Sequence, residues 1–155
     1  MRILPVVGLG LLLASCGGSS GPSVDSQHAI DCVARINGFR AGLGLPALQR
    51  WKGAEACAND SSRDDARASA PHGSFGACGE FAQNTCPGWP DMEGVIQGCL
   101  QAMWDEGEPP PGPCDGACFQ AHGHYLNMSS TAYTEVACGF HTGADGSVWS
   151  NQNFR

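Results

Sequence analysis

Three stretches of the chain space their apolar residues with the period of an α-helix. The first, QHAIDCVARINGFRAG, follows Ser26 as a capping residue and places Val33 and Arg40 on the same face. A second helix is predicted from about Trp51 to Ala68, and a third over MEGVIQGCLQAMWDEG, which Asp91 precedes as a cap. These patterns predict three helices that each bury one face.

Strand patterns are clearest near the end of the chain. YTEVACGFH and SVWSNQNF predict two strands joined by a TGADG turn, and a further short helix fits around His124. The stretch from His72 to Trp89 has no helical period, and its glycines and cysteines predict a stapled loop with room for one strand. Together these elements predict an α+β fold with a sheet between helical layers.

Length and charge narrow the class of protein. The 155 residues suffice for one domain with its own core. The formal net charge is -7 and no basic cluster occurs, so a nucleic-acid partner is not expected, because such binding needs a Lys/Arg face. We also expect the chain to be a monomer.

The first residues indicate export. A basic start is followed by the apolar run from Ile3 to Ala14 and by Leu-Ala-Ser-Cys, which resembles a bacterial lipobox cut before Cys16. We therefore expect a lipoprotein signal peptide over residues 1–15, a lipidated Cys16 with a flexible tether over 16–27, and a folded domain over 28–155. Gly17 after the cysteine is typical of sorting to the outer membrane of a Gram-negative bacterium. The alternative is an ordinary signal peptide in which Cys16 has no special role.

Eight cysteines remain after Cys16, and an even number in an oxidising compartment predicts four disulfides. We expect the pairs Cys32–Cys57 and Cys114–Cys118, and leave the pairing of the others open. The competing interpretation is a zinc site in the Cys114-x3-Cys118-x3-His122-x-His124 run, but its spacing is much tighter than that of a usual zinc finger. The eight residues are Cys32, Cys57, Cys78, Cys86, Cys99, Cys114, Cys118 and Cys138.

Five motifs occur in a familiar order: INGFRAGLGLPAL, MWDEG, GHYLNM, VACGF and WSNQNF. Between about Ala29 and Phe154 the chain thereby resembles the CAP superfamily of cysteine-rich secretory proteins, insect antigen 5 and plant pathogenesis-related proteins, also called SCP domains. The resemblance implies a three-layer α-β-α sandwich, here stapled by disulfides. It also implies a cleft lined by two histidines and two acidic residues.

The resemblance assigns four positions of that cleft. His124 lies in the Gly-His-Tyr motif, Glu106 ends the MWDEG motif, and His72 is the only histidine in the expected place after the second helix. The second acid usually stands in a Gly-Glu-Asn motif, where this chain has Gln83; Glu80, three residues earlier, is the other candidate for that role.

Two neutral imidazoles converging on one point suit a weakly bound divalent cation such as zinc, with His72 and His124 as its ligands. His122 would be a poor third ligand if this segment is helical, because residues two apart diverge. Alternatively, the four side chains form a buried hydrogen-bond network that only holds the layers together.

Three functions follow, in order of preference. The first is an envelope-anchored binding module for a cation and a small apolar or sterol-like ligand or partner, as the resemblance implies. The second is a metal-assisted peptidase or esterase that uses Glu106, His72 and His124, with Ser74 as a conceivable nucleophile. The third is a structural envelope protein without a site. A glutamine at position 83 weighs against hydrolysis, since it removes one candidate base.

Overall fold

The computed structural model describes residues 24–155. The predicted signal peptide, Cys16 and most of the tether lie outside the described residues. The helices are α1 (Val24–Gly42), α2 (Glu55–Ala68), α3 (Leu100–Trp104) and α4 (Gly116–Ser129), and the strands are β1 (Gln49–Arg50), β2 (Ala82–Trp89), β3 (Glu135–Thr142) and β4 (Val148–Phe154). A short 3-10 helix, Lys52–Ala54, leads into α2, and a π-helical segment, Gly94–Cys99, leads into α3.

The predicted helices are present, with two changes at their beginnings. The helix α1 begins at Val24, so Ser26 lies inside it rather than at its cap. The third helix begins as predicted at Asp91, whose carboxylate accepts a hydrogen bond from the Gly94 N–H at 2.6 Å, but its first turns are π-helical. No helix within residues 24–155 is both long and apolar enough to cross a membrane.

The four strands form one sheet in the order β1-β3-β4-β2. The predicted hairpin of β3 and β4 is antiparallel, β2 pairs antiparallel with β4, and β1 pairs parallel with β3. The edge strand β2 is the strand predicted within the cysteine-rich stretch from His72 to Trp89. Its sequence, AQNTCPGW, has no apolar alternation, yet Gln83, Asn84 and Thr85 are all buried.

Successive residues of β3 pack against different helical layers, as the three-layer α-β-α prediction requires. Val136 and Cys138 join the main core with α1 and α3, whereas Ala137 packs against α2 on the opposite face. Gly139 lies on the α2 side, where an added Cβ would come within 2.1 Å of the Ala58 carbonyl carbon. Only glycine therefore permits this approach of α2 to the sheet.

All eight cysteines named above are joined in four disulfides, which confirms the predicted number and excludes the alternative zinc site. The pair Cys114–Cys118 is confirmed, but Cys32–Cys57 is wrong. The helix α1 buries Cys32 against the sheet, where it bonds to Cys138, whereas Cys57 is on α2, on the other side of the sheet. The remaining bridges are Cys57–Cys78 and Cys86–Cys99.

Candidate functional site: a histidine cleft beside the edge strand

Two histidines from different layers meet beside strand β2. His124 lies on α4, and His72 lies in the turns that follow α2. Their ring centroids are 6.2 Å apart and the ring planes differ by 20°. His72 has a φ of 62°, in the left-handed region that few non-glycine residues occupy, and such backbone strain is frequent at functional sites.

Glu106 holds His124 through both of its carboxylate oxygens. The Oε1 atom accepts from His124 Nδ1 at 2.5 Å, and Oε2 accepts from the backbone N–H groups of His124 at 2.9 Å and Tyr125 at 3.3 Å. A carboxylate offers only acceptors, so Nδ1 carries the proton. The lone pair of His124 is thereby left on Nε2, the nitrogen that Glu106 does not contact.

Uncharged side chains orient the His72 ring, as Glu106 orients the His124 ring. The Nδ1 atom of His72 lies 3.1 Å from Gln83 Oε1 and 3.2 Å from Thr85 Oγ1. The Gln83 amide is held in turn, because its Nε2 donates to Asn153 Oδ1 at 3.0 Å. In this orientation the Gln83 oxygen faces the ring, which favours a proton on His72 Nδ1 and a lone pair on Nε2.

Glu80 does not contact the histidines through its carboxylate. That side chain is 5% exposed, and its two oxygens accept from the backbone N–H groups of Gly76 at 2.7 Å and Cys78 at 3.0 Å. Glu80 therefore organises the loop between α2 and β2. The structure brings Gln83, not Glu80, to His72.

Two other candidates from the sequence have different surroundings. His122 directs Nδ1 to the carbonyl oxygens of Glu106 at 2.8 Å and Gly107 at 3.0 Å, and so ties α4 to the segment that carries Glu106. Ser74 does not line the cleft; its backbone N–H donates to the buried carboxylate of Asp65 at 2.8 Å. Nothing in these contacts activates Ser74 as a nucleophile.

The histidine pair opens into a cavity of about 520 Å³, within the range of small-molecule pockets. Among the residues that the structure describes, three phenylalanines and no Lys, Arg, Asp or Glu line this cavity. Within residues 24–155 no cluster of three or more His, Cys, Asp or Glu side chains is placed to hold a metal ion, so the protein's own ligands for an ion here would be two imidazoles. The lining residues are His72, Phe75, Phe81, Ala82, Gln83, Phe119, Gln120, Gly123, His124, Asn127 and Tyr133.

The sequence did not point to Thr85, Asn153 or the phenylalanines. The available signal was a pattern of alternating polar residues on two adjacent strands, Gln83 and Thr85 on β2 and Asn153 on β4. A polar stripe of this kind usually marks a solvated face, but here it is buried under α2 and the loop that carries His72.

Comparison with known proteins agrees with this architecture. Residues 33–154 match the model of the CAP family, described as the cysteine-rich secretory protein family. None of the curated proteins matches the chain.

Several solved structures share the fold at low sequence identity. BmVAL-1 is 17% identical, with a TM-score of 0.64 over 92% of this chain and 81% of its own. NaASP2, solved with Zn²⁺, is 13% identical, with a TM-score of 0.60 over 87% and 83% of the two chains. The venom allergen-like protein 4 of Schistosoma mansoni is 14% identical, with a TM-score of 0.52 over 83% and 88%.

Proposed function

This chain belongs to the cysteine-rich secretory protein (CAP) family, and on that basis we propose that it is an extracytoplasmic binding module. Its cleft holds a divalent cation between His72 and His124 and accepts a small apolar ligand beside it. The observation that carries the proposal is the matched orientation of the two rings. The Nδ1 atom of His124 donates to Glu106, and the Nδ1 atom of His72 donates to Gln83. The Nε2 lone pairs of both rings are therefore available in the cleft.

The donor set fits a zinc-like cation. Neutral imidazole nitrogens are common zinc ligands, and hydrogen bonds to their other nitrogens fix the ring orientation. With two protein ligands the binding would be weak, and positions would remain open for water or a ligand. A related fold, NaASP2, has been solved with Zn²⁺, which supports the choice of zinc as the first probe.

Zinc titration by calorimetry tests the proposal. We expect one site in the wild type, and no measurable binding in either His72→Ala or His124→Ala, because one imidazole alone is a poor ligand set. His141→Ala is the matched control, since this half-buried histidine lies on β3 away from the cleft and should leave binding unchanged. Affinity should also fall on acidification, because protons compete for the imidazole nitrogens. Equal binding by wild type and His124→Ala would reject the site.

Binding is preferred over hydrolysis on chemical grounds. General acid–base catalysis needs a group that takes up a proton and another that gives one. The Gln83 amide does neither at neutral pH, and the Glu106 carboxylate is occupied by three donors, from His124 and Tyr125, so the two imidazoles would have to supply both groups. An amide can still orient an imidazole, which is sufficient for a binding site.

The lipid anchor remains part of the proposal. The four disulfides and the family are those of an extracytoplasmic protein. The lipobox before Cys16 supports attachment to a membrane, in a Gram-negative cell the outer one. Mass spectrometry of the membrane fraction should find an N-terminal peptide that begins at a diacylated Cys16. A soluble mature protein that begins at another residue would contradict it.

A further inference from the structure

Three exposed phenylalanines border the histidine cleft. Phe75, Phe81 and Phe119 have 54%, 73% and 50% of their surface exposed. Among residues 24–155, the other exposed large apolar side chain is Leu43, which lines a separate cavity near the proline-rich linker. A folded domain gains little from phenylalanines left this exposed, so their convergence on one cavity points to a ligand.

The three rings, which we call the phenylalanine wall, come from separate parts of the chain. Phe75 and Phe81 lie in and just after the loop that carries His72, and Phe119 lies on α4 one turn before Gly123. A Cβ at Gly123 would lie 3.2 Å from the Phe119 ring, so the absence of a side chain there lets the ring lie across the helix. The wall therefore stands against the same turn of α4 that presents His124.

Besides the histidine pair, the polar side chains that line the cavity are uncharged: Gln83, Gln120, Asn127 and Tyr133. The amides of Gln83 and Asn127 already donate to protein acceptors, on Asn153 and on Asn84. The carboxylates of Glu106 and Glu80 accept from backbone N–H groups, and Glu106 accepts from His124 Nδ1 as well. The Glu106 carboxylate, hydrogen-bonded to His124, would offset part of the charge of a divalent cation held by the two neutral imidazoles, and among the described residues no anionic side chain lines the cavity to offset the rest.

We propose that the cleft binds a small monocarboxylate with an aromatic or alkyl body. The carboxylate lies at the histidine pair, where it supplies the missing negative charge, and the apolar body lies against the phenylalanine wall. This inference rests on the cation site of the proposed function and adds the chemical class of the ligand. It requires two features in one molecule, an anionic head and an apolar body, and each can be tested separately.

The head group is tested by titrating the full mature chain with phenylacetate and with phenethyl alcohol, which has a similar body and no charge. In the presence of zinc we expect phenylacetate to bind at least about tenfold more tightly than the alcohol. Without zinc that preference should disappear. Zinc alone is titrated first, so that a failure of the cation site is distinguished from a failure of this inference.

The apolar body is tested with single alanine substitutions in the wall. Phe81→Ala and Phe119→Ala should each weaken phenylacetate binding about fivefold, while zinc affinity stays the same. Leu43→Ala is the matched control, because Leu43 is 51% exposed and lies at the other cavity. Since all three side chains are half exposed or more, these variants should fold like the wild type.

Three results would overturn the inference. Equal affinities for phenylacetate and the alcohol, with zinc bound, would mean that the cleft does not select a carboxylate. Unchanged phenylacetate binding in Phe81→Ala and Phe119→Ala would mean that the body lies elsewhere. Failure of zinc to bind the wild type would remove the basis of both proposals.

Discussion

Replacing Arg40 by leucine is expected to lower the free energy of unfolding by about 3–5 kcal/mol. Arg40 is 1% exposed. Its Nε donates to the Pro46 carbonyl at 2.9 Å, and its Nη1 donates to the carbonyls of Met128 at 2.7 Å and Ser130 at 2.8 Å. Leucine would fill part of the volume and leave these acceptors without their donor, which is costly inside a protein.

The contacts of Arg40 also connect α1 with the helix that lines the cleft. Met128 and Ser130 lie at the C-terminal end of α4, the helix that carries His124. A positive charge there interacts favourably with the helix dipole. Burial lowers the pKa of Arg40, but a guanidinium remains charged at neutral pH. Loss of the charge should therefore loosen the attachment of α4 to α1.

Chemical denaturation measures this effect. Arg40→Lys should be less destabilising, because the ammonium keeps the charge but cannot match the guanidinium's fixed fork of donors. Arg67→Leu is the matched surface control, since Arg67 is exposed on α2 with a 3.8 Å ion pair to Asp64, and it should change stability little. If Arg40→Leu and Arg67→Leu unfolded at the same denaturant concentration, the three carbonyl contacts would not stabilise the fold as argued.

The position of Arg40 also shows where pattern reasoning succeeds. Helical spacing alone placed it on the same face as Val33, and both are buried. The same reasoning did not define β2, because Gln83, Asn84 and Thr85 are polar residues inside the protein and have no apolar period to detect. Their burial depends on partners contributed by β4 and α4, which only the assembled fold brings near.

The disulfides show a second limit. The number of bridges follows from counting cysteines and from the compartment, but the pairing depends on which face of the sheet each helix covers. Cys32 and Cys57 lie on helices of opposite layers, so the sheet separates them. Only Cys114–Cys118, four residues apart, was constrained by local geometry alone.

For the cleft, the family resemblance supplied the histidines and Glu106, and the structure shows the hydrogen bonds that orient the two rings. Whether Gln83 or Glu80 stands by His72 was open from the sequence, since both are near the expected position. The Glu80 carboxylate accepts hydrogen bonds from backbone N–H groups of the loop. The side chain that contacts His72 is therefore Gln83. The phenylalanine wall was not predicted, because rings distant in sequence show no common pattern before folding.

Replacing Glu106 by alanine is expected to weaken zinc binding about 10–100-fold, the usual cost of removing a group that orients a metal-ligating histidine. Glu106 fixes the His124 ring through Nδ1 and also accepts from the backbone N–H groups of His124 and Tyr125. Without the carboxylate the ring could rotate and its proton could move to Nε2, the nitrogen that binds the cation in the proposed site. The free energy of unfolding should also fall, by about 2–3 kcal/mol, because two backbone donors lose their acceptor.

Calorimetry with zinc and chemical denaturation together separate these two effects. Glu106→Gln keeps the shape and one acceptor oxygen, so it should recover part of the stability but little of the affinity, since an amide holds the imidazole proton less strongly than a carboxylate. Glu108→Ala is the matched control, an exposed glutamate two residues away, and it should bind zinc like the wild type. NMR of ¹⁵N-labelled histidine rings reads the tautomer directly. We expect the proton of His124 on Nδ1 in the wild type, and a mixture of the Nδ1 and Nε2 tautomers in Glu106→Ala. A Glu106→Ala variant that keeps wild-type zinc affinity and the Nδ1 tautomer would show that His124 is oriented by something other than Glu106.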